Sequence, residues 1–363
     1  MIDFANALLR VAKSNHMIWN PFQQKIESVL GIDLGTSSVK LVEISHSGGE
    51  KKLINYGEFI GGAVDGVVQT STLKIPDSQI ASIIQEIIGA TKITTRDVVV
   101  AIPVFSSFST MIEFPTVSPT ELEQAVIYQA RQYIPIPLVE VKIDWLPIDF
   151  LSNTKTTKVL VIAVPNDVIN KYYRLLEAVK LNLVALELET FSVARALINE
   201  NLAPTIILDM GGHSTDICIS EKGIVAVHHN SSLSGSELSK VISRGMGVSL
   251  SRAEELKIQK GLAGDAQIAD LLIPLINTVL ADVQKIVQDY KRQGGSEPTS
   301  LILTGGSSRL TGLGDYIQKI LNIKTVTGDS FAHLSYPSVL KDVTQDIGPS
   351  FSVAIGLALR SIL

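Results

Sequence analysis

The chain is 363 residues long, 45% hydrophobic and only 18% charged, which excludes an intrinsically disordered protein and leaves room for two packed cores. Charged residues make up about a quarter of an ordinary globular chain, so a mean hydropathy of +0.29 places an unusual share of the side chains in buried strands or helices, or against a partner. Thirty-one Lys and Arg against 36 Asp and Glu give a net charge of −5, an acidic balance that excludes the broad basic surface of a nucleic-acid-binding protein.

Residues 1–28 put Met1, Ile2, Phe4, Ala5, Leu8, Leu9 and Ala12 on one helical face beside Arg10 and Lys13. That pattern predicts either a weak membrane-surface or partner helix or a frayed tail. The segment lacks an apolar signal core with a small-residue cleavage site, so export is not expected. From Val29, VLGIDLGTSSVKLVEIS predicts a strand, a turn of Gly, Thr and Ser, and a second strand, together a hairpin. Ile80, Ile83, Ile84, Ile87 and Ile88 follow at helical spacing, and a buried strand is predicted over 98–103.

The stretch 104–182 alternates differently. Strands are predicted at 108–114, 141–150 and 158–164, and helices at 118–133 and 166–180. The first helix opens with Ser118, Pro119 and Glu121 in capping-box spacing. This is a small α/β insertion, because the first core resumes at 184–189. PTIILDMGGHSTDICISEKGIVAVHHN then repeats the opening order of strand, Asp, hydrophobic residue, Gly, small polar turn and strand, an internal repeat of two whole domains.

A helical insertion is predicted from Glu237 to about Gln293. Its most apolar part, 268–283, is interrupted by Asp270, Pro274, Asn277 and Asp282, so no run is expected to cross a bilayer. A buried strand at 301–303 leads into Thr304-Gly-Gly-Ser-Ser308, and a last apolar helix is predicted over 351–363. The single cysteine, Cys218, makes no intramolecular disulfide, and no Cys/His cluster has zinc spacing. His228 and His229 stand adjacent on a predicted strand with no third ligand nearby. All of this fits a reducing cytoplasm.

The chemistry concentrates in two turns, Asp33-Leu-Gly-Thr-Ser-Ser-Val-Lys40 and Asp209-Met-Gly-Gly-His-Ser-Thr-Asp216. Each sets a carboxylate at the end of a buried strand, before a turn whose N–H groups and hydroxyls can face phosphate oxygens. Gly35, Gly211 and Gly212 leave room for that approach. Either turn alone is equally an ordinary β-turn, but duplicate turns in duplicate domains favour two hairpins gripping a polyphosphate. Asp33 and Asp209 would then converge on a hydrated Mg²⁺, which takes oxygen ligands and keeps several waters. The third glycine turn, LILTGGSSRLTGL, lies between a strand and a helix, where exposed N–H groups favour anions or a nucleobase edge.

GIDLGTSSVKLVEIS, ILDMGGHSTDICIS and LTGGSSRLTGL resemble the phosphate-1, phosphate-2 and adenosine motifs of the actin-like ATPase superfamily. Within it the chain resembles the PilM family of type IV pilus assembly over nearly everything from Val29 to Leu363, most specifically in ELEQAVIYQARQYIPIPLVEVKIDWLPIDF and FSVAIGLALR. The resemblance implies an α/β actin-like fold of two duplicated ribonuclease-H-like domains with inserted subdomains. Domain 1A would hold 29–103, 183–203 and the C-terminal helix 350–363, and subdomain 1C 104–182. Domain 2A would hold 204–236 and 296–349, and subdomain 2B 237–295, with 1–28 as an extension.

The resemblance also implies ATP or ADP with Mg²⁺ as cofactors. Gly35, Thr36, Ser37, Ser38 and Lys40 match the first phosphate loop, with Lys40 either a phosphate partner or a surface strand lysine. Gly211, Gly212, His213, Ser214 and Thr215 match the second, where His213 either donates to a phosphate or points to solvent. Glu254 and Lys257, three apart on one helical face, match the nucleoside-contacting pair of MreB and FtsA, and are otherwise an exposed ion pair. Gly305, Gly306, Ser307 and Arg309 match the adenosine loop, Arg309 either stacking on adenine or capping the fold. No residue takes a catalytic role beyond Asp33 and Asp209 as Mg²⁺ and water organisers. The chain departs from many relatives at Gly235-Ser236, where they carry Gly-Gly, which bears on the geometry near Glu237 and Lys240.

For partners, the resemblance implies the N-terminal cytoplasmic peptide of PilN, with an Asn-Leu-Leu-Pro core, in a groove between the 1C insertion and the first domain. Gln129, Ala130, Gln132, Tyr133, Ile134, Pro135 and Pro137 fall near it, unless they only pack the subdomain. Ile134-Pro-Ile-Pro ends the preceding helix by removing backbone donors. Other pilus platform components and self-association are further expected contacts, and the expected place is the inner face of the cytoplasmic membrane, reached through the partner. The alternatives are a filament-forming ATPase of the FtsA or MreB kind and a sugar kinase. A kinase needs a general base, for which only Asp33, Asp209 and Asp216 offer themselves.

Overall fold

A computed structural model describes residues 27–35, 37–61, 75–148, 151, 155–198 and 203–360. The expected helical face in 1–26, Thr36 and residues 361–363 of the expected last helix lie outside the described residues.

The opening hairpin forms as expected from β1 (Ser28–Leu34) and β2 (Ser38–Ser45), whose side chains are nearly all buried. Strand β3 (Lys52–Ile60) adds antiparallel to β2. Its half-exposed, irregular pattern gave the sequence little periodic signal. Helix α1 (Asp77–Thr91) buries Ile80, Ile83, Ile84 and Ile87, and β4 (Asp97–Ile102) returns parallel to β1.

The chain then builds β5 (Phe108–Pro115), α2 (Pro119–Ala130), β6 (Val141–Pro147), β7 (Thr156–Pro165) and α3 (Asn166–Ala178). The Ser118 Oγ accepts from the Glu121 N–H at 3.4 Å while the Glu121 carboxyl accepts from the Ser118 N–H at 3.0 Å, which closes the capping box. Helix α2 stops at Ala130, three residues before the sequence expectation, because Pro135 and Pro137 impose a turn in which Gln132, Tyr133 and Ile134 donate back to Gln129 and Ala130. The strands form a separate antiparallel sheet in the order β5-β7-β6. Val159, Val161 and Ala163 on one of its faces pack with Leu122, Val126 and Ala130 of α2.

Strand β8 (Asn182–Leu188) completes the first five-stranded sheet, β3-β2-β1-β4-β8, and leads directly into α4 (Glu189–Leu197). The second half repeats the scheme with β9 (Thr205–Met210), β10 (Thr215–Glu221) and β11 (Ile224–Ser231). Helices α5 (Gly235–Met246), α6 (Leu250–Lys260) and α7 (Ala266–Arg292) follow, then β12 (Ser300–Thr304), α8 (Leu313–Leu321) and β13 (Lys324–Thr327). The second sheet runs β11-β10-β9-β12-β13. In each sheet an antiparallel three-strand meander is extended by two parallel strands, so the repeat of the sequence is a repeat of topology.

Helix α7 is long and apolar enough to cross a membrane. Its apolar face is spent elsewhere: Ile268, Leu272, Ile276, Val279 and Val283 are buried, and the helix packs on β10, β11 and α5.

The last helix, α9, spans Lys341–Ala358 and starts ten residues before the sequence expectation. Proline inside a helix usually costs about 3 kcal/mol and marks a boundary, but Pro349 lies within α9. Its carbonyl accepts from the Gly305 N–H at 2.9 Å and the Thr304 Oγ1–H at 2.8 Å, tying the helix to the end of β12. Beyond this point α9 packs on α4, β1, β2 and β4. The approach is close enough that a Cβ on Gly31 would overlap the Ala354 carbonyl, and one on Gly356 the Ser192 carbonyl.

Candidate functional site

Both hairpin turns lie at the carboxyl ends of β1 and β9, where the sheets present loops rather than side-chain layers. In the first, Asp33 faces Lys40 across the ladder. Lys40 is no surface lysine: it is buried, its Nζ donates to Ser38 Oγ at 2.5 Å, lies 3.4 Å from the Glu58 carboxylate and sits 5.9 Å from the centre of the Phe351 ring. Ser38 is buried with it, whereas Gly35 and Ser37 stay open toward the turn.

In the second hairpin Asp209 faces Asp216 across the ladder, and the Gly211 N–H donates to the Ser214 carbonyl at 3.0 Å to close the turn. Gly212, His213 and Ser214 are partly exposed, and Thr215 is buried with its hydroxyl on the Leu233 carbonyl at 2.7 Å. The turn is fixed from behind by the start of α5: Gly235 N–H donates to Gly211 O at 3.0 Å and Ser236 N–H to Gly212 O at 2.9 Å. Ser236 therefore fits where a second glycine was expected, since among the described residues its φ is not in the left-handed range.

The structure adds a residue that the sequence did not single out. Glu189, the first residue of α4, faces the charges of Asp216, Asp33 and Asp209. Burial and these three carboxylates hold its pKa well above the ordinary value, against a hydrogen bond from the Val104 backbone. Asp209 is pushed up to about 8, first by burial, then by Asp216 and Asp33, with Lys40 pulling the other way. Asp216 rises to about 6 through burial, moderated by the Asn230 amide that donates to it at 2.8 Å. Burial also raises Asp33, and Lys40 lowers it. Strand β8 is anchored just upstream, where the fully buried Glu187 pairs with Arg195 and with Arg360, the latter at 2.7 Å.

The third turn follows β12. Gly305 adopts φ +85°, and a Cβ there would collide with Asp209 Oδ1 and the Met210 carbonyl, so glycine is required by both conformation and space. Gly306 is exposed, Ser307 partly so, and a short 3-10 helix spans Gly306–Arg309. Arg309 pairs with Asp346 of α9 at 3.1 Å. Glu254 and Lys257 form an ion pair at 2.8 Å, but Lys257 is buried and its Nζ also donates to the Gly235 carbonyl at 2.9 Å. Gly235 in turn lies against Ser307 Oγ. The second hairpin turn, the α6 pair and the third turn thus meet at one place. Beside it opens a cavity of about 530 Å³ lined by Ile258, Ser308, Arg309, Thr327, Gln345 and Asp346, among others.

The residues fit a hydrated divalent cation in part. Among the described residues no group of three or more His, Cys, Asp or Glu side chains could hold a metal by itself. A cluster of mutually repelling buried carboxylates suits Mg²⁺ that keeps waters and shares phosphate oxygens.

Of the expected peptide-groove residues, Ala130 and Ile134 are buried in the core of the three-stranded subdomain. Gln132, Tyr133, Pro135 and Pro137 are exposed and Gln129 is partly so, with Tyr133 at 50%.

Solved structures matching over nearly the whole chain include a PilM-PilN type IV pilus biogenesis complex, with 25% identity, TM-score 0.78 and coverage of 94% of this chain and 100% of that one. The ethanolamine utilization protein EutJ from Carboxydothermus hydrogenoformans matches at 18% identity and TM-score 0.56, covering 94% and 91%. MreB5 of Spiroplasma citri bound to AMPPNP matches at 14% and 0.51, covering 92% and 95%. These establish the actin-like α/β fold. The cell division protein FtsA of Rhizobium meliloti is 25% identical over 178 residues, 42% of this chain, and the match spans only 39% of that protein. The FtsA of Neisseria meningitidis is 23% identical over 240 residues, covering 58% and 56%. The family model described as type IV pilus assembly protein PilM matches residues 31–362, from the first hairpin through α9, and the chain belongs to that family.

Proposed function

We propose that this chain is a nucleotide-dependent assembly protein of the type IV pilus platform, which binds ATP between its two hairpins and docks a PilN-type peptide beside α2. The observation that carries the nucleotide half is the convergence of duplicate glycine turns with Asp33, Asp209, Asp216 and Glu189 in one cleft. Backbone groups of Gly35, Ser37, Gly211, Gly212, His213 and Ser214 would cradle the phosphates. Asp33 and Asp209 would hold Mg²⁺ through water, and that ion supplies positive charge against the phosphates. Lys40, held by Glu58 and Ser38, contributes charge from behind Asp33 rather than as a mobile phosphate clamp. Glu254 and Lys257 would meet the ribose, with Gly305, Gly306, Ser307 and Arg309 against the base.

Glu189 supplies the orienting group for an attacking water. Its carboxyl, set among Asp33, Asp209 and Asp216, would be placed to take up a proton from that water, the role of a general base. Slow hydrolysis suits a switch, because binding energy then sets a conformational state rather than turnover.

The peptide half rests on the family membership and on the exposed rim of Gln132, Tyr133, Pro135 and Pro137. A platform partner in the inner membrane would place the chain at the cytoplasmic face of that membrane. Calorimetry with MgATP, and fluorescence anisotropy with a peptide carrying Asn-Leu-Leu-Pro, test the two halves separately. Saturable binding of both is expected, with Tyr133→Ala weakening the peptide about tenfold, on the order of 1.4 kcal/mol. Absence of ATP binding, or equal peptide affinity in the variant, would remove the corresponding half.

A further inference from the structure

The three-stranded sheet touches the second lobe as well as the first. On β5, Ser109 Oγ hydrogen-bonds His228 Nε2 of β11, and on β7, Lys158 Nζ donates to the carbonyl of Gln293, just past the end of α7. The ladder pairs Ser109 with Ile162 and Glu113 with Lys158. Ser109 and Glu113 are four residues apart and therefore share a face, so Ser109 and Lys158 point to the same side of the sheet. Four residues of strand set the two contacts about 13 Å apart.

The opposite face is the one that packs on α2. Ile112, Phe114, Val159, Val161 and Ala163 bury against Leu122, Val126 and Ala130. The sheet therefore stands between the second lobe and α2, with Tyr133 in the turn just past the end of that helix. Leu160 and Ile162, on the same face as Ser109 and Lys158, are buried in the main core, and the two polar contacts, set apart along the strand, add a tie to the second lobe.

We propose that Ser109–His228 and Lys158–Gln293 form a clasp that transmits the position of the second lobe through the three-stranded sheet to α2, so that nucleotide state sets the shape of the peptide groove. This rests on the nucleotide and peptide reading above and names its regulation. The His228 contact flanks a cavity of about 470 Å³. The charged and titratable groups around it are His229 of β11 and Asp282, Lys285, Asp289 and Arg292 of α7, with Lys158 from β7. Burial and the neighbouring His229 push His228 down to about 4, so the imidazole is neutral near neutral pH and the clasp answers to lobe movement rather than to protons.

The test compares the wild-type chain with Ser109→Ala/Lys158→Met and, from the other side, with His228→Leu. Hydrogen exchange of residues 119–137 is followed with and without MgATP, beside MgATP affinity and the affinity of the Asn-Leu-Leu-Pro peptide. In the wild type MgATP is expected to change exchange over 119–137 and peptide affinity by fivefold or more. In both variants MgATP should bind within twofold of wild type, while its effect on 119–137 disappears and the peptide affinity ratio falls to within twofold of one. Variants that bind MgATP and respond over 119–137 like the wild type overturn the clasp. So does a wild type that binds both ligands without any such response. A wild type that binds no MgATP overturns the nucleotide reading itself and the clasp with it.

Discussion

The carboxylate cluster gives a prediction whose sign is opposite for stability and for function. Asp209 has its pKa raised to about 8 from an ordinary 3.8. A carboxyl that holds its proton more tightly when folded costs nothing extra below pH 4, and the penalty grows as pH climbs from 4 to 8. At about 1.4 kcal/mol per pKa unit, the nucleotide-free protein carries about 5 kcal/mol of penalty at pH 8 and about 2 kcal/mol at pH 5. Asp209→Asn keeps the shape and removes the charge. With an unfolding entropy of about 2.1 cal/mol/K per residue over 363 residues, those figures correspond to a rise in Tm of about 7 °C at pH 8 and about 3 °C at pH 5.

The substitution also relieves Glu189, whose carboxyl the Asp209 charge holds up, and that relief adds to each shift. Thermal melts of the two proteins without nucleotide or metal at both pH values decide the matter, together with melts in MgATP. The variant should gain less from MgATP than the wild type, because the charge that opposes folding is the one proposed to hold the cation. Equal shifts at pH 5 and pH 8, or a lower Tm for the variant at pH 8, would refute the argument that buried carboxylate repulsion is stored in the cleft.

Glu189→Gln should lower ATP turnover by tenfold or more with ATP affinity nearly unchanged, as single-turnover kinetics and calorimetry would show. Lys257→Met removes the buried charge-assisted bond to the Gly235 carbonyl and should cost about 1.5 to 3 kcal/mol of stability in denaturant titration. Gly356→Ala sets a methyl group against the Ser192 carbonyl, which neither backbone can easily yield, and should cost about 3 kcal/mol or more in denaturant titration. Glu43, 1% exposed, accepts from Ser28, Asn55, both donors of Thr94 and the Thr95 N–H at 3.1 to 3.4 Å. Glu43→Gln turns an amide N–H₂ toward those donors and should cost about 1 to 3 kcal/mol by the same titration.

The hairpins and the third glycine turn were legible because their geometry is local: an apolar run, an acid and a short turn of Gly, Ser and Thr lie within a few residues. Glu189 was not legible. It is an ordinary first-turn glutamate twenty residues from Asp209, and it matters only because α4 starts at the cleft between two sheets that the chain completes far apart. Strand β3 escaped for a different reason, its half-exposed side chains leaving no alternation to read. The start of α9 was misplaced because proline is ordinarily a boundary, while here hydrogen bonds from Thr304 and Gly305 hold Pro349 inside the helix. Lys40 was read as surface or phosphate-facing, and its burial depends on Glu58 and Phe351, one from an unseen strand and the other from a helix some three hundred residues away.

The contact of α9 with β1 also bears on how the chain is made. When a ribosome has released the first 300 residues, every strand of the first sheet exists, yet the helix that covers β1, β2 and β4 has not been synthesised. The lobe begun first is therefore finished last, by contacts of very high sequence separation, which slow folding. During that interval the β-face around Val29, Val42, Val99 and Ala101, later roofed by Val353, Ala354 and Leu357, is bare. The nascent first lobe thus exposes an apolar sheet face until α9 emerges, while the second lobe closes over strands and helices nearer in sequence.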